Sequence, residues 1–320
     1  MDWFDAGGNG PLIAARAIHL AATAITAGSL IFGAVVARPA LRSEQAGARL
    51  LRTQIIAVVW VSLTIAAASG VIWFLLQAAA MTELALGEVM ESGELSTVLY
   101  QTQFGQVSEI RIALAVTLAV CLACDRFPLA NWLGLAAASG LTVAIAWTGH
   151  ASSTLGKIGN LHLIADGLHL LAAAAWIGGL AALVLLLVAA QRNRTMAWAS
   201  MAQAATRRFS TLGIISVATL LVTGLVNGWI LVGSLNALFV TEYGRLLVLK
   251  IVAFAVMLAF AAINRLWLTP RLALSGTEPR RLDALRQLGR NSTIEIALGL
   301  TIFAIVGMLG TLHPAIHLFL

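Results

Sequence analysis

Charge is what this 320-residue chain has least of. Acidic and basic side chains together make up 11% of it, under half the share of about 25% in a soluble globular domain. With 60% apolar residues and a mean hydropathy of +0.91, a water-soluble fold would lack the polar surface to cover itself. Cysteine is nearly absent, and Cys121 and Cys124 stand too close in sequence to build a disulfide framework. No glycine-rich phosphate loop and no nucleophile–base–acid constellation occurs, which excludes nucleotide hydrolysis and points away from an enzyme. The opening stretch MDWFDAGGNG has two acids and no basic segment, so it reads as neither a signal peptide nor a transit peptide. A net charge of +6 would suit nucleic acid, but the basic residues lie in loops between apolar runs, which is a membrane pattern.

What the chain has in abundance is long apolar runs. A bilayer core takes about 20 apolar residues as a helix, and these runs are too continuous for barrel strands. They predict about eight transmembrane helices, near 12–36, 53–78, 108–125, 128–150, 162–190, 209–233, 244–266 and 292–313. The fold class is therefore all-α, a polytopic membrane helix bundle surrounded by lipid. The loops alternate in charge. Arg38, Arg42, Arg49 and Arg52 follow the first span, Arg192, Arg194, Arg207 and Arg208 the fifth, and Arg265, Arg271, Arg280, Arg281, Arg286 and Arg290 the seventh. The opposite face has Asp2, Asp5, Glu83, Glu88, Glu91, Glu94 and Glu242, with Lys157 as its one loop cation. Positive loops stay in the cytoplasm, so both termini are expected to be periplasmic, in a bacterial inner membrane.

The two halves of the sequence, 1–150 and 151–320, share an ordered set of residues. Arg16-Ala-Ile-His19-Leu matches Asp166-Gly-Leu-His169-Leu, and each leads to a small-residue run ending at Gly28 or Gly178. Ser69-Gly70 matches Thr223-Gly224, Thr102-Gln-Phe-Gly105 matches Thr241-Glu-Tyr-Gly244, Arg111 matches Lys250, and Gly140-Leu-Thr142 matches Gly299-Leu-Thr301. Four helices per half is an even number, so two parallel four-helix repeats are expected, related by an axis along the membrane normal.

All six histidines map to the end of the bundle opposite the arginine-rich loops. His162, Asp166 and His169 fall at i, i+4 and i+7, on one helical face, and His150 and His313 end neighbouring spans. Imidazole is a common ligand for copper, zinc, nickel and iron. A carboxylate inside a span is costly and usually functional. His150, His162, Asp166, His169 and His313 are thus candidate metal ligands, with His19, His317 and Met308 as secondary ones. Lys250 or Arg111 could instead neutralise Asp166, and Arg111 could pair with Glu109. Cys121-x-x-Cys124 could take Cu(I) through soft sulfur or could simply pack.

His150, His162-x-x-x-Asp166-x-x-His169, Trp176-Ile-Gly-Gly179, Arg208-Phe-Ser210, Thr223-Gly224, Tyr243-Gly-Arg-Leu-Leu-Val-Leu-Lys250, Asn264-Arg265 and His313-Pro314 together resemble the copper resistance protein D (CopD) family. The likeness is strongest over about 145–315. It implies an inner-membrane copper homeostasis protein that moves copper across or into the membrane, often beside a periplasmic CopC-like copper chaperone. An alternative, structural reading is a membrane subunit that docks such a chaperone through the acidic 79–108 loop. The architecture also resembles HemJ-type four-helix proteins. That likeness implies haem b as an alternative cofactor, with His19 or His169 as axial ligand and Arg111 and Lys250 pairing the propionates.

Overall fold

Eight helices long and apolar enough to cross a membrane form the chain in the computed structural model, which describes residues 10–40, 45–274 and 277–318. They are α1 Gly10–Ala40, α2 Gly47–Thr82, α3 Gln103–Ala123, α4 Pro128–Thr148, α5 Gly156–Asn193, α6 Met196–Val232, α7 Glu242–Leu272 and α8 Glu278–Leu309. The protein is a multi-pass membrane protein. Each expected span has its helix, and most run several residues further than their apolar cores. α3 and α4, at 21 residues each, are about 31 Å long, just the thickness of the hydrocarbon layer.

Local chemistry sets the helix starts. Thr102, Thr195 and Thr241 are N-caps whose hydroxyls accept from the backbone N–H three residues on, at 3.0, 3.3 and 2.9 Å. Pro128 opens α4 and a proline lies in the first turn of α8, where no backbone N–H is needed. The tight α3–α4 turn is held by Arg52, which bonds the Asp125 carboxylate at 3.1 Å and the Asp125 carbonyl at 2.7 Å. Between α2 and α3, the short helices Leu86–Glu91 and Glu94–Gln101 bury Val89 and Val98 against Ala78.

α1 and α5 are the two central helices. In their apolar stretches 61% and 67% of residues are buried, against 11% in α7. α1 packs on α2, α4, α5 and α8, and α5 on α6, α8, α1 and α4. The two cross at Gly28 and Gly178. A Cβ on Gly28 would lie 1.9 Å from the Ala174 carbonyl oxygen, and one on Gly178 would lie 2.2 Å from that of Ala24. Lipid offers no hydrophobic drive for helix pairing, so bare backbone at the crossing supplies the close van der Waals contact. Single π-helical stretches interrupt α1 at Phe32–Ala37, α5 at Ala174–Gly178 and α7 at Asn264–Leu268.

Candidate functional site

Helix direction brings the starts of α1, α3, α5 and α7 and the ends of α2, α4, α6 and α8 to one end of the bundle, opposite the arginine-rich connections. Two polar clusters lie there.

The first is built on α1. His19, 4% exposed, places Nδ1 at 2.9 Å from the Ala66 carbonyl of α2. A carbonyl only accepts, so Nδ1 carries the proton and Nε2 presents a lone pair. That lone pair is occupied. Arg111 of α3 donates to it from Nη2, and the Thr23 hydroxyl approaches at 3.3 Å. Arg16 and Arg111 both lie over the Trp73 ring, 5.1 Å from its centroid, and His19 stacks obliquely on the same ring at 5.5 Å. Cation–π attraction offsets part of the cost of holding two guanidiniums in the membrane. Neither arginine forms an ion pair among the described residues. Glu109, the partner expected for Arg111, is instead exposed.

The second cluster is built on α5. His169 Nδ1 lies 2.9 Å from the Thr223 hydroxyl of α6. Thr223 gives its own proton to the Thr219 carbonyl at 2.6 Å, so it accepts from His169. His169 therefore has the same tautomer as His19, with its proton on Nδ1. Its Nε2 has no hydrogen-bond partner among the described residues. One turn earlier, Asp166 accepts from Asn227 of α6 at 3.2 Å. Lys250 of α7 acts electrostatically on both Asp166 and His169 but stands beyond 4 Å of the carboxylate. The neutralising role expected for Lys250 is thus exerted at a distance.

The other candidates are distributed around this pair. His162, 1% exposed, has Nδ1 at 2.9 Å from the Thr154 hydroxyl. His150 lies in the electrostatic neighbourhood of His162, donates from Nε2 to the Leu309 carbonyl at 3.1 Å and meets the Tyr243 ring edge-on. Met308 packs near Tyr243 and Leu309. His313 is exposed beyond α8, and the side chain of His317 lies outside the described residues. Among the described residues no three His, Cys, Asp or Glu side chains stand within reach of a single metal ion. Cys121 is buried and Cys124 exposed.

Several polar residues of these clusters carried no role in the sequence. Trp73 and Asn227 lie one turn beyond Ser69 and Thr223, a spacing that could have exposed them. Glu295, 2% exposed in α8, sits just inside a span whose charge was counted only in its loops.

Residues 7–160 match the family model described as Copper resistance protein D-like, N-terminal domain, and residues 203–309 the one described as Copper resistance protein D. Inner membrane protein YebZ of Escherichia coli (strain K12) is 31% identical over 303 residues, 94% of this chain and 98% of that protein. Copper resistance protein D of Pseudomonas syringae pv. tomato is 30% identical over 217 residues, 67% of this chain and 70% of that one. Copper transport protein CutJ of Bacillus subtilis (strain 168) is 36% identical over 186 residues, which are 56% of this chain but 33% of CutJ. No solved structure matches.

Proposed function

Because this chain belongs to the copper resistance protein D family, we propose that it binds copper at the α5 cluster and passes it through the membrane as cargo, with no catalytic step of its own. The observation that carries this reading is the open Nε2 of His169. An imidazole whose Nδ1–H is fixed by an acceptor, with Nε2 bare, is oriented for metal ligation. Asp166 lies one turn away and supplies negative charge, and an oxygen–nitrogen pair of this kind suits copper. The α1 cluster offers the reverse. His19 has its Nε2 taken by Arg111, and two guanidiniums there repel a metal cation.

The two clusters are copies of one plan, in halves 1–150 and 151–320. In support, His19 and His169 share a tautomer, Thr102 and Thr241 cap matching glycines, and Gly28 meets Gly178. The histidine end faces the periplasm of an inner membrane, by the charge of the opposite loops. A CopC-like chaperone would deliver copper there, where Glu83, Glu88 and Glu91 are exposed. The haem b alternative keeps one nitrogen for iron, on His169, since both nitrogens of His19 are engaged.

Elemental analysis and an ultraviolet–visible spectrum of the purified protein test this. We expect bound copper, lost in His169→Ala and kept in His19→Ala. A Soret band without copper would overturn the reading in favour of haem b.

A further inference from the structure

Glu295 lies near the middle of α8, well away from the histidine end. Its Oε1 accepts from Asn264 Nδ2 at 2.7 Å, and the Trp176 indole also bonds its carboxyl group. Asn264 Oδ1 in turn accepts from Asn291 Nδ2 at 3.0 Å, which fixes the amide with its donor toward Glu295. The protein partners of this carboxyl are thus N–H donors, where a metal ion would need oxygen, nitrogen or sulfur lone pairs. Among the described residues Glu295 has no ion-pair partner.

The helices around it are built irregularly. Trp176 lies within the π-helical stretch of α5, and Asn264 begins that of α7. Such bulges occur often at functional sites. Between α5, α6, α7 and α8 a cavity of about 360 Å³ includes Glu295 in its wall and reaches Arg265 and Thr269 toward the arginine-rich end. Of the residues lining the cavity, Glu295 and Arg265 are the charged ones, and Arg265 is engaged with the Ser210 hydroxyl at 2.6 Å. α1 also packs on α8, but its charged Arg16 lies against Gly310, about four turns from Glu295. Thr206 Oγ1, on the same cavity wall, is buried and without a partner. It stands outside hydrogen-bond distance of Glu295, whose carboxyl takes its bonds from Asn264 and Trp176. In the register that aligns Gly140 with Gly299, Glu295 corresponds to Ala136, so this feature belongs to the second half alone.

We propose that Glu295 is a proton-binding carboxyl, loaded through this cavity from the arginine-rich end, and that its proton exchange accompanies copper passage from Asp166 and His169. The first part stands on the Glu295 geometry; the coupling rests on the copper reading above. Trp176 follows His169 by seven residues, about 10 Å along α5, so one helix spans both sites. Protonation would leave the carboxyl neutral in the membrane, where an unpaired charge is costly.

Infrared difference spectroscopy of the full chain in lipid nanodiscs tests proton binding without copper. We expect a carboxylic C=O band that shifts in D₂O and disappears as pH rises. It should be absent in Glu295→Gln, retained in Asp166→Asn and displaced in Asn264→Leu. The last measurement keeps the test open if Glu295→Gln does not fold. No titrating band in the wild type, or the same band in Glu295→Gln, overturns the proposal. In proteoliposomes holding a pH dye, added copper should change the internal pH in wild type but not in Glu295→Gln, with bound copper equal in both. A pH change that persists in Glu295→Gln overturns the coupling. A titrating band in a protein that binds no copper overturns the copper reading and the coupling, and leaves the proton site standing.

Discussion

Arg111 donates to Nε2 of His19, and so fills the position that the corresponding nitrogen of His169 leaves open. The two imidazoles carry their proton on the same atom, so the difference lies in the cation. A guanidinium on a long side chain reaches its histidine. The Lys250 ammonium acts on His169 and Asp166 from further off. One half of the bundle thus holds a histidine with both nitrogens engaged and the other a histidine with Nε2 unengaged.

If His169 is a ligand, the hydroxyl that orients it matters nearly as much as the ring. Thr223→Val keeps the shape and removes the acceptor for Nδ1–H. Copper affinity should fall by roughly 10–100-fold, the usual cost of losing such an orienting partner. A competition titration against a chelator of known affinity measures it. An unchanged affinity would show that His169 does not bind the metal.

Lys250 should work against copper and in favour of the metal-free fold. In Lys250→Met the carboxylate of Asp166 loses the cation that acts on it; the full cost of an uncompensated carboxylate, on the order of 2.5–3.5 kcal/mol on the lenient insertion scale, is the upper bound of that loss. The melting temperature of the metal-free protein should drop, and copper should restore more of it than in the wild type. Thermal unfolding with and without copper decides the point; equal melting curves for variant and wild type would count against any role for Lys250.

The crossing of α1 and α5 has no room for a side chain. A Cβ at Gly28 would lie 2.6 Å from the Gly178 Cα as well as close to the Ala174 carbonyl. Gly28→Val should therefore destabilise the protein by about 1–3 kcal/mol or more. Gly33→Ala on the same helix, where nothing lies within 4 Å, should be tolerated. Yield and monodispersity in detergent compare the two.

Orientation follows from the charge of the loops. A single cysteine at Ser153, on the histidine end, should react with a membrane-impermeant thiol reagent in intact spheroplasts, in a background lacking Cys121 and Cys124. One at Asn193, on the arginine end, should react only after lysis. The opposite result would place the α5 cluster on the cytoplasmic side and remove its access to a periplasmic partner.

The eight helices and the placing of the arginine-rich loops at the end opposite the histidines were legible in the chain because apolar run length and loop charge are local quantities; the helix starts were not, α6 and α8 beginning well before their apolar runs. Ser69-Gly70 and Thr223-Gly224, matched in the sequence, each lie against a histidine. Sequence spacing also put His162, Asp166 and His169 on one helical face, as they are. Which of them has an unoccupied nitrogen was not legible. That depends on Thr154 and Thr223, which take Nδ1 of His162 and of His169, and on the reach of a guanidinium against an ammonium. Glu295 stayed hidden for the same reason. A lone acid near a span end looks like a loop charge until α5, α6 and α7 enclose it and Asn264 and Trp176 turn their donors toward it. Composition and periodicity along one helix determine what must enter the membrane. Only packing between helices decides which polar atoms are satisfied there, because lipid offers them no partner and every bond has to come from a neighbouring segment.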